Sequence, residues 1–144
     1  MSKDDVEKYA FESHGKTSVI VSISNVFSML AYIVSTSYNK IIDVLNLEFN
    51  DTEVDDYISG GILKEDADKI AKFVDKYHGK VDRIICQCTK GQSRSAAVAK
   101  AIMDTYEYDN SEAIKEYILN EDEYHEPNNL VYEKVLYELD KHLN

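Results

Sequence analysis

The sequence predicts an α/β fold, a central mixed or parallel sheet of about four to five strands flanked by helices on both faces. β-Branched apolar runs at residues 18–24, 41–49 and 81–85 have the composition of interior strands. Segments whose apolar residues recur every three or four positions lie between and after them, as amphipathic helices require. Strands alternating with helices pack compactly as a layered sheet. At 144 residues the chain is expected to form one domain over 1–144, large enough to bury about two thirds of its unfolded surface without staples.

In chain order, residues 9–13 are read as a short edge strand before the turn at His14-Gly15. The run from Ser18 to Ser24 is an interior strand, and Asn25 offers an N-cap for residues 26–34, a short helix or a packed loop. Residues 41–49 begin apolar and then alternate, with Leu45, Leu47 and Phe49 on one face and Asn46 and Glu48 on the other. An acidic, turn-rich surface loop follows, as far as Gly60-Gly61. Between 63 and 78, Ala67, Ile70, Ala71, Val74 and Tyr77 form one helical stripe that stops at Gly79.

Residues 95–106 are alanine-rich and apolar nearly all round, which predicts a central buried helix. Ser111 is read as the cap of an amphipathic helix carrying Ala113, Ile114, Tyr117 and Ile118, and Pro127 closes the acidic linker 120–126. A final helix over about 129–142 places Tyr132, Leu136, Leu139 and Leu143 on one side, with Val131 and Val135 beside them.

The chemistry concentrates where the third strand turns into the alanine-rich helix, in Ile84-Ile85-Cys86-Gln87-Cys88-Thr89-Lys90-Gly91-Gln92-Ser93-Arg94-Ser95. The first N–H groups of a helix have no intrahelical partner and carry the positive end of its dipole. The turn from Thr89 through Lys90, Gly91, Gln92 and Ser93 to Arg94 is therefore a nest for a tetrahedral anion. Arg94 adds a permanently charged fork that can hold two oxygens at once. The same field favours the thiolate of Cys88, which is the nucleophilic form.

Cys88, Gly91, Ser93, Arg94 and Ser95 form a Cys-x-x-Gly-x-Ser-Arg-Ser pattern. It resembles the phosphate-binding loop of the cysteine-dependent protein phosphatases, in particular the small dual-specificity branch. The resemblance implies a phosphatase-like fold and hydrolysis of phosphotyrosine, and of phosphoserine or phosphothreonine, through a phosphocysteine on Cys88. It also implies that Arg94 and the loop amides hold the phosphate and that no cofactor is needed. By the same resemblance Ser95 hydrogen-bonds the departing thiolate, while Ser93 braces the loop. The chain departs from the pattern at Gln87, where the family has a His that supports the low thiol pKa.

Such a reaction needs a carboxylic acid to protonate the leaving oxygen. The family carries it on a loop just after a strand, and Phe49-Asn50-Asp51-Thr52 is similar to that strand end, which selects Asp51. Asp56 is the reserve choice, because its separation from Cys88 is closer to the usual one. Glu53 and Asp55 are read as solvated loop acids.

A net charge of −11, from 16 Lys and Arg against 27 Asp and Glu, argues against binding nucleic acid or an acidic membrane. It favours basic phosphopeptides as substrates. Two cysteines two residues apart in a strand suggest neither a disulfide framework nor a metal site, and the histidines are scattered. With no signal peptide and no long apolar run, the expected chain is a soluble cytoplasmic monomer. Two other classes share parts of this pattern. One is a phosphopeptide-binding module without turnover. The other comprises Cys-x5-Arg enzymes of sulfur transfer or arsenate reduction, or acting on non-protein phosphate monoesters.

Overall fold

The computed structural model describes residues 1–106 and 126–143. Among them are four helices and three strands, α1 (Lys3–Ala10), β1 (Ser18–Ser24), β2 (Ile41–Glu48), α2 (Lys64–Tyr77), β3 (Arg83–Gln87), α3 (Arg94–Tyr106) and α4 (Asn129–Leu143). The sheet is parallel throughout, with β1 between β2 and β3. It has three strands among the described residues rather than the expected four to five.

The difference at the start of the chain has a local cause. Ser2 caps a helix by accepting from the Asp5 N–H at 3.1 Å, Asp4 and Asp5 occupy its positive end, and Lys8 its negative end. Val6 and Tyr9, three apart, form its buried face. The residues expected as an edge strand therefore belong to the end of α1 and the turn after it.

Residues 26–34 take the loop alternative. The Asn25 carbonyl accepts from the N–H of Ser28 in a tight turn at 3.1 Å, and no helix starts there. The expected segment from Ser111 to Ile118 and the linker 120–125 lie outside the described residues.

β1 is buried along its whole length, as a central parallel strand must be. Its two faces serve two cores. Val19, Val21 and Ile23 join Leu47, Phe49 and the apolar faces of α2, α3 and α4. Ile20 joins Ile41 and Ile85 under Val6 and Tyr9 of α1. Helices thus lie on both faces, three against one. The described helices include none long and apolar enough to cross a membrane.

α2 buries Ala67, Ile70, Ala71 and Val74, as its stripe predicts, and Gly79 adopts the left-handed φ of 77° that lets the chain leave the helix end. α4 packs on α2 and α3. Its buried seam is Val131, Val135 and Leu139 together with Glu138, which rotates the expected stripe and leaves Leu143 exposed.

Parallel pairing has one consequence for the site. Ser22 of β1 lies opposite Asn46 of β2 and Gln87 of β3, so all three strands deliver their carboxyl ends to the same edge. The loops that start at Asn25, Phe49 and Cys88 emerge side by side, where open α/β sheets bind ligands.

Candidate active site

β3 ends at Gln87, and α3 begins at Arg94, so Cys88 to Ser93 make the turn between them. Gly91 adopts a φ of 73°, open to glycine at little cost. A Cβ there would stand 2.5 Å from the backbone of Met1 and Ser2, because the first residues of the chain lie directly against the loop. The Met1 amine donates to the Cys86 carbonyl at 3.0 Å, the Cys88 N–H donates to the Met1 carbonyl at 3.2 Å, and the Lys3 N–H to the Thr89 carbonyl at 3.1 Å. On the other side, the Glu126 N–H donates to the Gln92 carbonyl at 2.9 Å and the Asn128 N–H to the Ser93 carbonyl at 3.2 Å. Backbone bonds from two distant segments thus fix the turn.

Cys88 is buried, with its Sγ 3.2 Å from the Ser95 Oγ at the start of α3. Burial opposes ionisation. The Ser95 hydroxyl and N–H, the Arg94 guanidinium and the Gly91 N–H together outweigh it, so the thiol pKa lies below the ordinary value. Cys86, two residues back and fully buried, has no such company, and burial pushes its thiol up to about 12. One of the two sulfurs therefore has surroundings that favour its thiolate, and the other is a core side chain held as the thiol.

Arg94 is also buried. Its Nη1 donates to the Phe49 carbonyl at 2.7 Å and its Nη2 lies 3.4 Å from the Thr89 Oγ1. The Nε is buried and has no hydrogen-bond partner among the described residues. Such an unmet donor on a cation is costly unless an acceptor arrives, and an oxyanion in the loop would supply one.

The acidic loop sorts its four carboxylates. Asp51 faces the turn between β3 and α3, where its Oδ1 accepts from the Ser93 Oγ and the Asn128 Nδ2, both at 2.8 Å. Asp56 accepts from the Ser59 N–H at 2.7 Å, and the Ser59 hydroxyl and amide hold its carboxyl below the usual range. Glu53 accepts from the Asn129 N–H at 2.9 Å, and Asp55 pairs with Lys134 at 2.7 Å. Glu53 and Asp55, expected to be merely solvated, thus tie the loop to α4. A cleft of about 410 Å³ opens between Asp51, Lys90, Gln92, Ser93, Glu126 and Asn128.

Three participants were not legible as such in the sequence. Asn128 is one; besides Asp51, its side chain reaches the Thr52 carbonyl at 3.1 Å and caps α4 by accepting from the Val131 N–H at 3.0 Å. An Asn just before a helix is the signal that could have found the cap, but nothing in the sequence points to the contact with Asp51. The Met1–Lys3 backbone had no sequence signal. The third is the buried pair in which the Ser22 hydroxyl donates to the Gln87 side-chain carbonyl. Gln87 is thereby held in the core by β1, its direct neighbour in register.

Comparison with models of protein families gives no match, and comparison with curated proteins gives none either. Among solved structures, the chain is similar to the crystal structure of a human tyrosine phosphatase-like serine/threonine/tyrosine-interacting protein. The TM-score is 0.52 at 18% sequence identity, over 89% of this chain and 80% of that one. The likeness is one of fold, which is phosphatase-like.

Proposed function

We propose that the chain is a metal-independent phosphoric monoester hydrolase of the protein-tyrosine or dual-specificity type. The observation that carries this reading is a buried thiol whose ionised form is favoured, beside a buried guanidinium with an unmet donor, at the mouth of a helix. The Cys88 thiolate attacks phosphorus, and the ester oxygen departs with a proton from Asp51. Water then attacks the phosphocysteine, Asp51 takes its proton, and Cys88 leaves as a thiolate that accepts a hydrogen bond from Ser95. Inorganic phosphate is released, and the protein returns to its starting protonation. Arg94 and the amides from Thr89 to Arg94 hold the equatorial oxygens through both steps. In this reading Lys90 adds local positive charge to an otherwise acidic protein.

Sulfur transfer and arsenate reduction give Asp51 no task, whereas its two hydrogen bonds hold it against the loop. A phosphopeptide-binding module without turnover is the second reading, favoured by one feature. Gln87 is neutral and engaged by Ser22, so it contributes no charge to the thiolate.

Release of phosphate from an aryl phosphate at about pH 6 without added metal, lost in Cys88→Ser, distinguishes the two. On phosphotyrosine, Asp51→Asn is expected to lower turnover by about two to four orders of magnitude. In kcat/KM, which reports formation of the phosphocysteine and not its hydrolysis, the loss should be much smaller on an activated leaving group, which needs no proton. Binding of phosphotyrosine peptide without release would favour the module. Full activity in Asp51→Asn with loss in Asp56→Asn would transfer the acid role to Asp56.

A further inference from the structure

The loop after β1 emerges from the central strand, between the strand that leads to Asp51 and the strand that leads to Cys88. Its second and fourth residues past Asn25, Phe27 and Met29, are 99% and 82% exposed. Across the same edge, the turn after β2 carries Tyr57 and Ile58, 85% and 94% exposed. Asn50, the residue before Asp51, joins the two turns. Its Oδ1 accepts from the Val26 N–H at 3.0 Å, its N–H donates to the Gly60 carbonyl at 2.7 Å, and its Nδ2 donates to the Ser59 carbonyl at 3.3 Å. Gly60 has a φ of 70°, and a Cβ on it would stand 2.7 Å from the Asn50 amide, so the junction is tight.

Phe27 itself has a φ of 63°, a left-handed backbone that costs a bulky residue energy. No burial of its ring offsets that cost. That backbone holds a large apolar ring out into water on the loop that Asn50 ties to the residue before Asp51, and clustered exposed apolar surface of this kind marks an interaction site.

We propose that Phe27, Met29, Tyr57 and Ile58 form an apolar wall at the mouth of the phosphate loop that grips large apolar side chains next to the phosphorylated residue of a peptide. The inference rests on the phosphatase reading and names its substrate class. Small soluble phosphoesters present nothing for such a wall to hold. An anionic membrane is disfavoured by the net charge of −11 and by Asp56 and Glu53 in the same loop. A peptide combining apolar flanks with a basic residue complements both the wall and those carboxylates.

The test compares kcat/KM on two phosphotyrosine peptides that differ only in having Leu and Phe or Gly and Ser on either side of the phosphoresidue. Wild-type protein is expected to prefer the apolar-flanked peptide by about tenfold or more, chiefly through KM. In Phe27→Ser/Ile58→Ser that preference should collapse toward equality. Equal rates of the two peptides on wild type, or an undiminished preference in the variant, would overturn the proposal. So would hydrolysis of a phosphoinositide in vesicles that exceeds both peptides and depends on Phe27. Failure of the phosphatase reading is separately visible as no phosphate release from either peptide or from an aryl phosphate. In that event the same preference is read as peptide affinity of Cys88→Ser by fluorescence anisotropy, with the same two outcomes deciding it.

Discussion

Replacing Ser95 by Ala tests the electrostatic account of Cys88 at its most exposed point. The two thiols of this chain lie two residues apart on one strand end, and both are buried. Burial, little offset by the Met1 amine and helped by the neighbouring Cys88, takes Cys86 to about 12, whereas Cys88 lies below the ordinary value. The contrast therefore comes from the groups around Cys88, among which the Ser95 hydroxyl at 3.2 Å has the largest favourable effect. A hydrogen bond to a charged group contributes about 1.5–3 kcal/mol, and each 1.4 kcal/mol is about tenfold in an equilibrium. Ser95→Ala should then lower the thiolate population, at any fixed pH below its midpoint, by about ten- to a hundredfold.

The sign follows directly. A lowered thiol pKa means ionisation begins at lower pH, so loss of the hydroxyl moves the titration curve to higher pH. Thiolate ultraviolet absorbance, measured against Cys88→Ser, reads this without needing a reagent to enter the buried site. Coincident curves for wild type and Ser95→Ala, or a move to lower pH, would refute the assignment of Ser95 as the principal stabilising group.

Two further outcomes follow from the supports of the loop. Asn128→Ala removes the cap on the Val131 N–H and should cost about 1 kcal/mol in urea denaturation. It also removes one of the two hydrogen bonds that hold Asp51, leaving that from Ser93, so kcat/KM on phosphotyrosine should fall by a larger factor than kcat/KM on an activated aryl phosphate. Ser22→Ala leaves the buried Gln87 carbonyl without its donor, at about 1–3 kcal/mol, and Ser22→Ala/Gln87→Leu should recover most of that loss. Additive losses in the double variant would mean that the pair does not act as a unit.

The turn from Cys88 to Arg94 was readable because its pattern is local. Cys88, Gly91, Arg94 and Ser95 lie within eight residues, between a strand and a helix that announce themselves by composition. The place of Asp51 just past a strand end was within reach because the segment 41–49 alternates strongly enough to locate that end. α1 was missed because its turn-forming residues, His14 and Gly15, drew more weight than the Ser2 cap and the Val6–Tyr9 spacing. The long-range contacts of Asn128 and of Met1–Lys3 join positions 35 or more residues apart, 35 between Asn128 and Ser93, 77 between Asn128 and Asp51 and 85 between Met1 and Cys86. The bonds of Met1 and Lys3 are made by main-chain groups and depend on no side-chain type, and the Asn128–Asp51 pair joins two side chains that only the tertiary fold brings together, so no local pattern announces either. The rotated seam of α4 has the same origin, since both helices it packs against decide which of its faces is covered.

The splint formed by Met1, Ser2 and Lys3 has a practical corollary for handling the protein. An affinity tag placed ahead of Met1 would join directly to the ribbon that lies on Gly91, beside the amine bonded to the Cys86 carbonyl. α4 starts beside the loop and runs away from it for 15 residues, about 22 Å. A purification handle or an immobilising linker attached beyond Leu143 therefore leaves the loop and both of its backbone clamps untouched.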